Sequence, residues 1–215
     1  MSEEISFRAR FERFPATVKG AFILRGEDPD PHQVVFREAR VAEVGGRAAR
    51  PVPVAATTLD VAPHRDVFVP FEIVVVDLEP GWYGFECDLE VDGVASTFPG
   101  GRRFAVPWPR ATVRRGQVRV DEVVPLGERA TVRVEHLDCG GDSVKLSLWV
   151  EPPGPVSVRL LADGATLQPL DADVDETTGR VRVTAYPLLR SHDGLRIELK
   201  GRGRGAEAAL DVPLP

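Results

Sequence analysis

The stretch Leu78-Glu79-Pro80-Gly81-Trp82-Tyr83-Gly84-Phe85-Glu86-Cys87-Asp88-Leu89-Glu90-Val91 decides the fold class of this chain. After the Pro-Gly turn, large apolar residues alternate with small or charged ones from Tyr83 to Val91. A period of two is that of a β-strand with one face in a core and the other in water. The stretch therefore predicts a half-buried strand that begins directly after a turn.

The same alternation recurs on both sides of this stretch, in residues 5–12, 144–148 and 195–199. The chain has 215 residues, among them 20 glycines and 19 prolines, many of them in turn segments between the alternating runs. No window of about eleven residues has the 3.6-residue period of a helix. Short strands spaced roughly 8–12 residues apart are typical of antiparallel sandwiches. The sequence therefore predicts an all-β protein.

The length and an internal repeat predict two domains. A single sandwich of this kind takes about 100 residues, and the chain has 215. At a constant displacement of 110 residues, the following positions match in face and turn rather than in identity: Phe71 and Ile73 with Val181 and Val183, Phe85 and Leu89 with Leu195 and Leu199, and Val34 and Phe36 with Val144 and Leu146. Residues 106–110 (VPWPR) form a short connector that two prolines stiffen. We therefore expect tandem domains over residues 1–108 and 109–215.

Part of the opening stretch carries a resemblance. Leu78-Glu79-Pro80-Gly81-Trp82-Tyr83-Gly84-Phe85 resembles the L-x-P-G-x-Y-x-F corner of bacterial immunoglobulin-like and fibronectin type III-like sandwiches. In that corner the tyrosine clamps the chain where it crosses from one sheet to the other. Residues 175–183 resemble a turn-then-strand phrase of bacterial immunoglobulin-like repeats, although the second half has His192-Asp193-Gly194 and no corner tyrosine. The resemblance implies two tandem immunoglobulin-like β-sandwich domains, and it names no particular family or function.

Composition excludes several classes of protein. A net charge of −6 argues against a binder of duplex nucleic acid, which needs a basic footprint. No apolar run approaches the roughly 20 residues that span a bilayer, so we expect no membrane insertion. The acidic start of the chain, residues 1–4, is not a secretory signal, so the cytoplasm is the default location, with leaderless export left open. Two cysteines are too few for a disulfide scaffold.

No catalytic arrangement stands out, and we expect neither an enzyme nor a cofactor. Ser191-His192-Asp193 contains the residue types of a catalytic triad, but adjacent residues in a turn cannot face one another as nucleophile, base and orienting group. Cys87 is in register with apolar neighbours, which predicts a buried and inert thiol. Cys139 is expected in a more exposed loop of the second domain.

An immunoglobulin-like strand order gathers three loops of domain 1 at one end, residues 26–32, 63–66 and 99–103. Their polar side chains form the first candidate binding site, Asp28, Asp30, His32, His64, Arg102 and Arg103. We interpret this end as a protein-binding patch, acidic from one loop and basic from another. A divalent metal bound by the carboxylates and histidines is the alternative. Trp82 and Trp108 fall at the opposite end, where they predict a contact between the domains.

Domain 2 supplies two further candidates. Trp149, assigned to the third strand of the domain, is out of phase with the inward residues of that strand, which predicts a tryptophan on the outer face of a sheet. A covering loop is the alternative. The alternating acids Asp171, Asp173 and Asp175, expected in a loop, fail the EF-hand pattern at its sixth and twelfth positions. They stay weak candidates for a looser calcium site between the domains, with a solvated acidic loop as the alternative.

The leading hypothesis is a non-enzymatic protein-binding or assembly module with an unidentified protein partner. It would use the loops of domain 1 or an exposed sheet face, with strand addition as a further option. One alternative is a metal-binding or carbohydrate-binding protein, hydrolytic or not, with its site at the domain 1 loops or the domain junction. The other is a structural subunit of a larger assembly, for which self-association through edges or faces is the expected mode.

Overall fold

The computed structural model describes residues 5–46, 49–54, 58–202 and 205–215 of the chain. Its regular elements are all strands, so the all-β fold is confirmed. The chain divides into two compact units, Met1–Val106 (unit 1) and Pro107–Pro215 (unit 2). None of the described residues belongs to a helix long and apolar enough to cross a membrane.

Each unit is built from strands of two to thirteen residues. Unit 1 contains β1 (Ile5–Arg13), β2 (Thr17–Gly26), β3 (His32–Glu43), β4 (Ala49–Val52), β5 (Thr58–Val61), β6 (Asp66–Val74), β7 (Gly81–Val91) and β8 (Val94–Val106). Unit 2 contains β9 (Gly116–Leu126), β10 (Ala130–Cys139), β11 (Val144–Glu151), β12 (Val156–Ala162), β13 (Ala165–Thr166), β14 (Pro169–Asp175), β15 (Arg180–Ala185), β16 (Leu195–Gly201) and β17 (Glu207–Val212).

Unit 1 is an antiparallel sandwich of two sheets. One sheet has the order β1-β2-β6, and the other has the order β4-β3-β7-β8 with β5 also paired to β3. This is the arrangement of immunoglobulin-like sandwiches, in which the first, second and fifth strands of the framework face the third, sixth and seventh. An aromatic cluster fills the space between the sheets, where the Phe22 ring lies 4.4 Å from Phe71 and 5.6 Å from Phe85. Such contacts stabilise beyond the area they bury.

The tyrosine corner predicted from the opening stretch is present. The chain crosses from the first sheet to the second between β6 and β7, and the Tyr83 hydroxyl donates a hydrogen bond of 2.9 Å to the carbonyl oxygen of Glu79. Tyr83 is buried and its ring stacks on Phe104 with 5.8 Å between centroids. The hydrogen bond therefore fixes the crossing segment against the core.

Unit 2 repeats this framework with additions. Its sheets have the orders β14-β15-β11-β10-β9 and β13-β12-β16-β17. The central pair β11–β15 corresponds to β2–β6, and the central pair β12–β16 corresponds to β3–β7. Strand β9 is an addition outside β10, and β14 pairs with β15, whereas its counterpart β5 joins the opposite sheet.

The 110-residue displacement holds for part of this framework. Residues of β6 and β15 match, as do those of β7 and β16, and Phe85 and Leu195 are both buried. The match of Val34 with Val144 is wrong, because it aligns β3 with β11, and the counterpart of β11 is β2. The displacement is not constant along the chain, because strand β9 adds residues ahead of the framework and the connection from β12 to β15 is shorter than that from β3 to β6. Alternation, which every strand shares, produced the false match.

Candidate functional site

The end of unit 1 that carries the first candidate site is organised around His32. This residue is only 7% exposed. Its Nδ1 lies 2.6 Å from Asp92 Oδ2 and its Nε2 lies 2.7 Å from Asp28 Oδ1. Both ring nitrogens face carboxylate oxygens, which only accept hydrogen bonds, so the arrangement favours the imidazolium form, in which both nitrogens donate. We call these three residues the His32 cluster.

The opposite charges of the His32 cluster stabilise one another, and the pKa values of His32 and Asp92 shift accordingly. The hydrogen bond to Asp92 and then that to Asp28 raise the pKa of His32 above its ordinary value. In turn, the hydrogen bond from His32 lowers the pKa of Asp92, which also accepts the backbone N–H of Gln33 at 2.9 Å. The cluster thus ties the β2–β3 loop to the β7–β8 turn. It uses both ring nitrogens, which leaves neither lone pair for a metal.

The other acidic and histidine candidates lie near this cluster without joining it. Asp30 is exposed, and its backbone N–H donates to Asp28 Oδ1 at 3.2 Å. His64 is also exposed, and its backbone N–H donates to the carbonyl oxygen of Gly26 at 2.9 Å. Within the described ranges, no group of three or more His, Cys, Asp or Glu side chains is arranged to hold a metal ion.

The placement of Arg102 and Arg103 in a loop beside His32 is wrong. Strand β8 runs without interruption from Val94 to Val106, and the β7–β8 turn is Asp92-Gly93. Arg103 pairs with Gly84, near the far end of β7. The glycines that suggested a turn, Gly100 and Gly101, instead form a bulge opposite Phe85, which is the other common use of glycine in strands.

The loop assignment of Asp171, Asp173 and Asp175 is also wrong. All three lie in strand β14 and are exposed. Since alternate residues of a strand share a face, their carboxylates are spread along it at about 6.6 Å intervals, and they do not converge. The Asp175 carboxylate accepts hydrogen bonds from the backbone N–H and the hydroxyl of Thr178, and these lower its pKa.

Two other placements differ from expectation. Trp108 follows the end of β8 and belongs to unit 2, where its ring meets Tyr186 edge-on with 5.3 Å between centroids. It is therefore not the end of a strand in the first domain, whereas Trp82 does lie at the start of β7. Cys139 is 7% exposed rather than in an open loop, because it ends β10 in the hairpin to β11. The predicted burial of Cys87 is confirmed.

Trp149 lies on the outer face of unit 2, as predicted, although in β11 rather than in the third strand of the framework. It is half-buried, and Pro153 of the loop expected as its alternative cover lines the same concavity. Its inward neighbours Leu148 and Val150 are buried. The antiparallel register places Arg133 of β10 opposite Trp149 on one side and Arg180 of β15 on the other. The Arg180 guanidinium carbon lies 5.6 Å from the centre of the indole ring, within range of a cation–π interaction.

The register extends this alignment across five strands. Val123 of β9 pairs with Arg133, and Asp175 of β14 pairs with Arg180. The outer face therefore carries one continuous row, which we call the Trp149 row: Asp175, Arg180, Trp149, Arg133 and Val123. Val123 is 61% exposed. A concavity of about 560 Å³ covers the part of the row from Trp149 to Val123, and its lining includes Trp149, Val123, Arg133 and Pro153.

Sequence reasoning found Trp149 but missed its partners. Arg133, Arg180 and Val123 are separated from it by 16 to 31 positions in the chain, and only the strand register brings them together. That register depends on the bulge between Val134 and His136, which alternation does not reveal because a bulge shifts the pattern by one residue. The alternation of β10 ahead of the bulge and that of β15 do indicate that Arg133 and Arg180 face outward.

Comparison with known proteins leaves the chain without a family. No protein-family model and no curated protein matches it. Among solved structures it is similar to the conserved domain protein from Bacillus anthracis, at 13% identity and a TM-score of 0.34, over 99% of this chain and 87% of that one. It is also similar to a marsupial T cell receptor, at 12% identity and a TM-score of 0.29, over 98% of this chain and 62% of that one. The fold assignment rests on the strand order, since similarity at this level supports no inference about function.

Proposed function

We propose that this chain is a non-enzymatic protein-binding module and that the Trp149 row is its contact surface. The observation that carries the proposal is the composition of the row. Tryptophan and arginine are the residue types most enriched among the few that dominate binding energy at protein interfaces. Here one tryptophan lies between two arginines in adjacent strands, beside an exposed valine.

The position of the row supports a preorganised surface. Strand β11 lies in the middle of a five-stranded sheet, and its inward residues Val144, Leu146 and Leu148 are at most 1% exposed. A side chain anchored on such a strand loses little conformational freedom on binding, which favours affinity. The stacking of Arg180 on the indole restricts Trp149 further.

The chemistry of the row favours a partner surface with an apolar side chain and charged groups of both signs. The concavity offers the indole, Val123 and Pro153 as apolar contacts, and its lining also includes Glu135 and Glu151. Arg133 and Arg180 flank the indole and are suited to bidentate contacts with carboxylates. Arg133 already lies 3.5 Å from Asp121, an exposed pair that contributes little and exchanges partners readily.

The test is affinity capture from the source cell followed by measurement with purified components. Wild-type protein, Trp149→Ala and Arg159→Ala are used in parallel, and circular dichroism checks that each variant is folded. Arg159 is an exposed arginine on β12, in the other sheet of unit 2, and serves as the matched control. Calorimetry then gives the affinity for the purified partner.

We expect Trp149→Ala to weaken binding at least tenfold, as loss of an interface anchor of about 2 kcal/mol or more does. Arg159→Ala should bind as the wild type does. A partner whose affinity is unchanged by Trp149→Ala would overturn the assignment of the surface. If affinity capture from the source cell yields no protein partner, the proposed protein-binding function is wrong.

A further inference from the structure

A second exposed surface lies on unit 1, on the outer face of the sheet β1-β2-β6. The register aligns Arg8, Ile23 and Phe68 across the three strands, and in the next outward row Arg10, Ala21 and Pro70. Phe68 is 57% exposed. A single exposed phenylalanine is common on protein surfaces, so the groups around Phe68 decide whether it marks an interaction site.

Phe68 forms one side of a hollow of about 520 Å³, which we call the Phe68 hollow. Its floor is short or apolar, with Gly20, Ala21 and Ile23. Gly20 itself faces the core, because it pairs with the buried Phe11 and Phe71, and a Cβ there would lie 2.2 Å from the carbonyl oxygen of Arg10. Only its backbone therefore lines the hollow, and the short outward side chain of Ala21 leaves room for an apolar side chain of a ligand.

Two arginines bound the hollow on the side away from Phe68. Arg10 belongs to β1, and Arg102 extends from β8 with its guanidinium carbon 5.1 Å from the centre of the Phe11 ring. Neither arginine forms an ion pair with another residue in the described part of the chain, whereas the neighbouring Arg8 and Lys19 are paired with Asp66 and Glu72. The hollow therefore combines an apolar floor, an aromatic wall, two arginines that form no ion pair among the described residues, and one acid, Glu12.

We infer that the Phe68 hollow is a docking site for an acidic segment of a protein partner that carries an apolar side chain. The apolar side chain would lie on Gly20, Ala21 and Ile23 against Phe68, and carboxylates would bind Arg10 and Arg102. Charge complementarity decides the occupant: guanidinium groups select carboxylates by paired hydrogen bonds, and the apolar floor excludes a purely charged ligand.

The surroundings favour a protein segment over an anionic membrane and the sheet face over the sheet edge. Glu12, Glu72 and Asp66 lie on the same face and confine the unpaired basic surface to Arg10 and Arg102. Such a small basic area suits a short acidic segment and not the extended surface of an anionic bilayer. Strand β6 is an outer strand of its sheet, but Pro70 has no N–H to offer to an added strand. At the β6 edge, beside Phe68, side chains on the face rather than backbone groups therefore carry the recognition.

The test uses a defined probe, a fluorescent peptide with the core Glu-Leu-Glu-Phe-Glu, and compares it with the same core in which lysine replaces glutamate. Fluorescence anisotropy is measured with the full chain at about 0.15 M salt. The variants are Arg10→Glu/Arg102→Glu and Phe68→Ser, with Arg129→Glu as a charge-reversal control in the exposed β9–β10 turn of unit 2. Vesicles that contain phosphatidylserine form a separate arm.

We expect the acidic peptide to bind, the lysine peptide not to bind, and both the double reversal and Phe68→Ser to weaken binding at least tenfold. Arg129→Glu and Trp149→Ala should leave it unchanged, which separates this site from the proposed Trp149 surface. Equal binding by the reversed variant, or binding to vesicles but not to the peptide, would overturn the inference. So would association of the chain with itself through Phe68, detected as a mass that rises with concentration in light scattering.

Discussion

The His32 cluster predicts a pH-dependent stability of unit 1. The perturbation is His32→Gln, which keeps an amide donor near one carboxylate but removes the charge and the second hydrogen bond. Each hydrogen bond to a charged group contributes about 1.5–3 kcal/mol. Because the Asp28 and Asp92 side chains are 31% and 49% exposed, water partly replaces the lost donor, and we expect a total loss of about 2–3 kcal/mol.

The pKa shifts fix the pH range in which this loss appears. The pKa of His32 is raised above 6.5 in the folded protein, so its stabilisation is complete below about pH 6.5 and is lost as the pH rises through the folded-state value. The pKa of Asp92 is lowered below 3.8, so its contribution is complete above that pH and is lost as the pH falls through its folded-state value. The difference in free energy of unfolding between the wild type and His32→Gln should therefore be largest between about pH 4 and pH 6.5.

The assay is urea unfolding from pH 3.5 to pH 9, followed by the fluorescence of Trp82 in a Trp108→Phe/Trp149→Phe background, so that unit 1 alone reports. The control is His64→Asn, which removes an exposed histidine and suits the positive φ of 55° at that position. The reasoning is refuted if His32→Gln loses the same free energy of unfolding at pH 5 and pH 9, or if His64→Asn reproduces its pH profile.

Three further predictions concern the two cores. Tyr83→Phe should lower the free energy of unfolding of unit 1 by about 1 kcal/mol, because it removes the hydrogen bond to Glu79. An unchanged free energy in urea unfolding would contradict the role of this hydrogen bond. Burial raises the pKa of Cys139 to about 11 and raises that of Cys87 as well. Neither thiol should therefore react with a disulfide reagent at pH 8 until urea is added. Rapid labelling of the native protein would disprove this. Gly20→Ala should lower the free energy of unfolding by about 2 kcal/mol or more, because the new Cβ meets the backbone of β1. The control Gly84→Ala, whose Cβ would lie 3.9 Å from the nearest side-chain atom, should lower it by less than about 1 kcal/mol. Equal thermal stability of the two variants would refute the packing argument.

The fold was predictable because its determinants are local. Alternation marks each strand, and the Pro-Gly-x-Tyr corner specifies the crossing between sheets through one hydrogen bond from Tyr83 to a residue four positions earlier. The bulge at Gly100 and Gly101 was not predictable, since a glycine pair fits a turn and a bulge equally well. What decides between them is the pairing of Arg103 with Gly84, a long-range contact that the local sequence does not encode.

The candidate sites likewise combine features that the local sequence determines with features that depend on contacts between distant strands. That Trp149 faces outward follows from the phase of a single strand, so the sequence predicted it. Its neighbours Arg133 and Arg180 depend on the register of three strands, which a one-residue bulge can shift. His32 was predicted as an open loop residue, but its burial depends on Asp92, 60 positions later in the chain, so its role as a charged structural element came only from the structure.

The exposure of Trp149 with and without the partner tests the central claim most directly. In a Trp82→Phe/Trp108→Phe background, Trp149 is the only tryptophan, and acrylamide quenching of its fluorescence reports how far solvent reaches the indole. We predict that addition of the captured partner lowers the quenching constant of Trp149 severalfold, and that Arg133→Ala, which changes the adjacent position of the row, weakens this protection. A quenching constant that stays the same while the partner is fully bound would contradict the account.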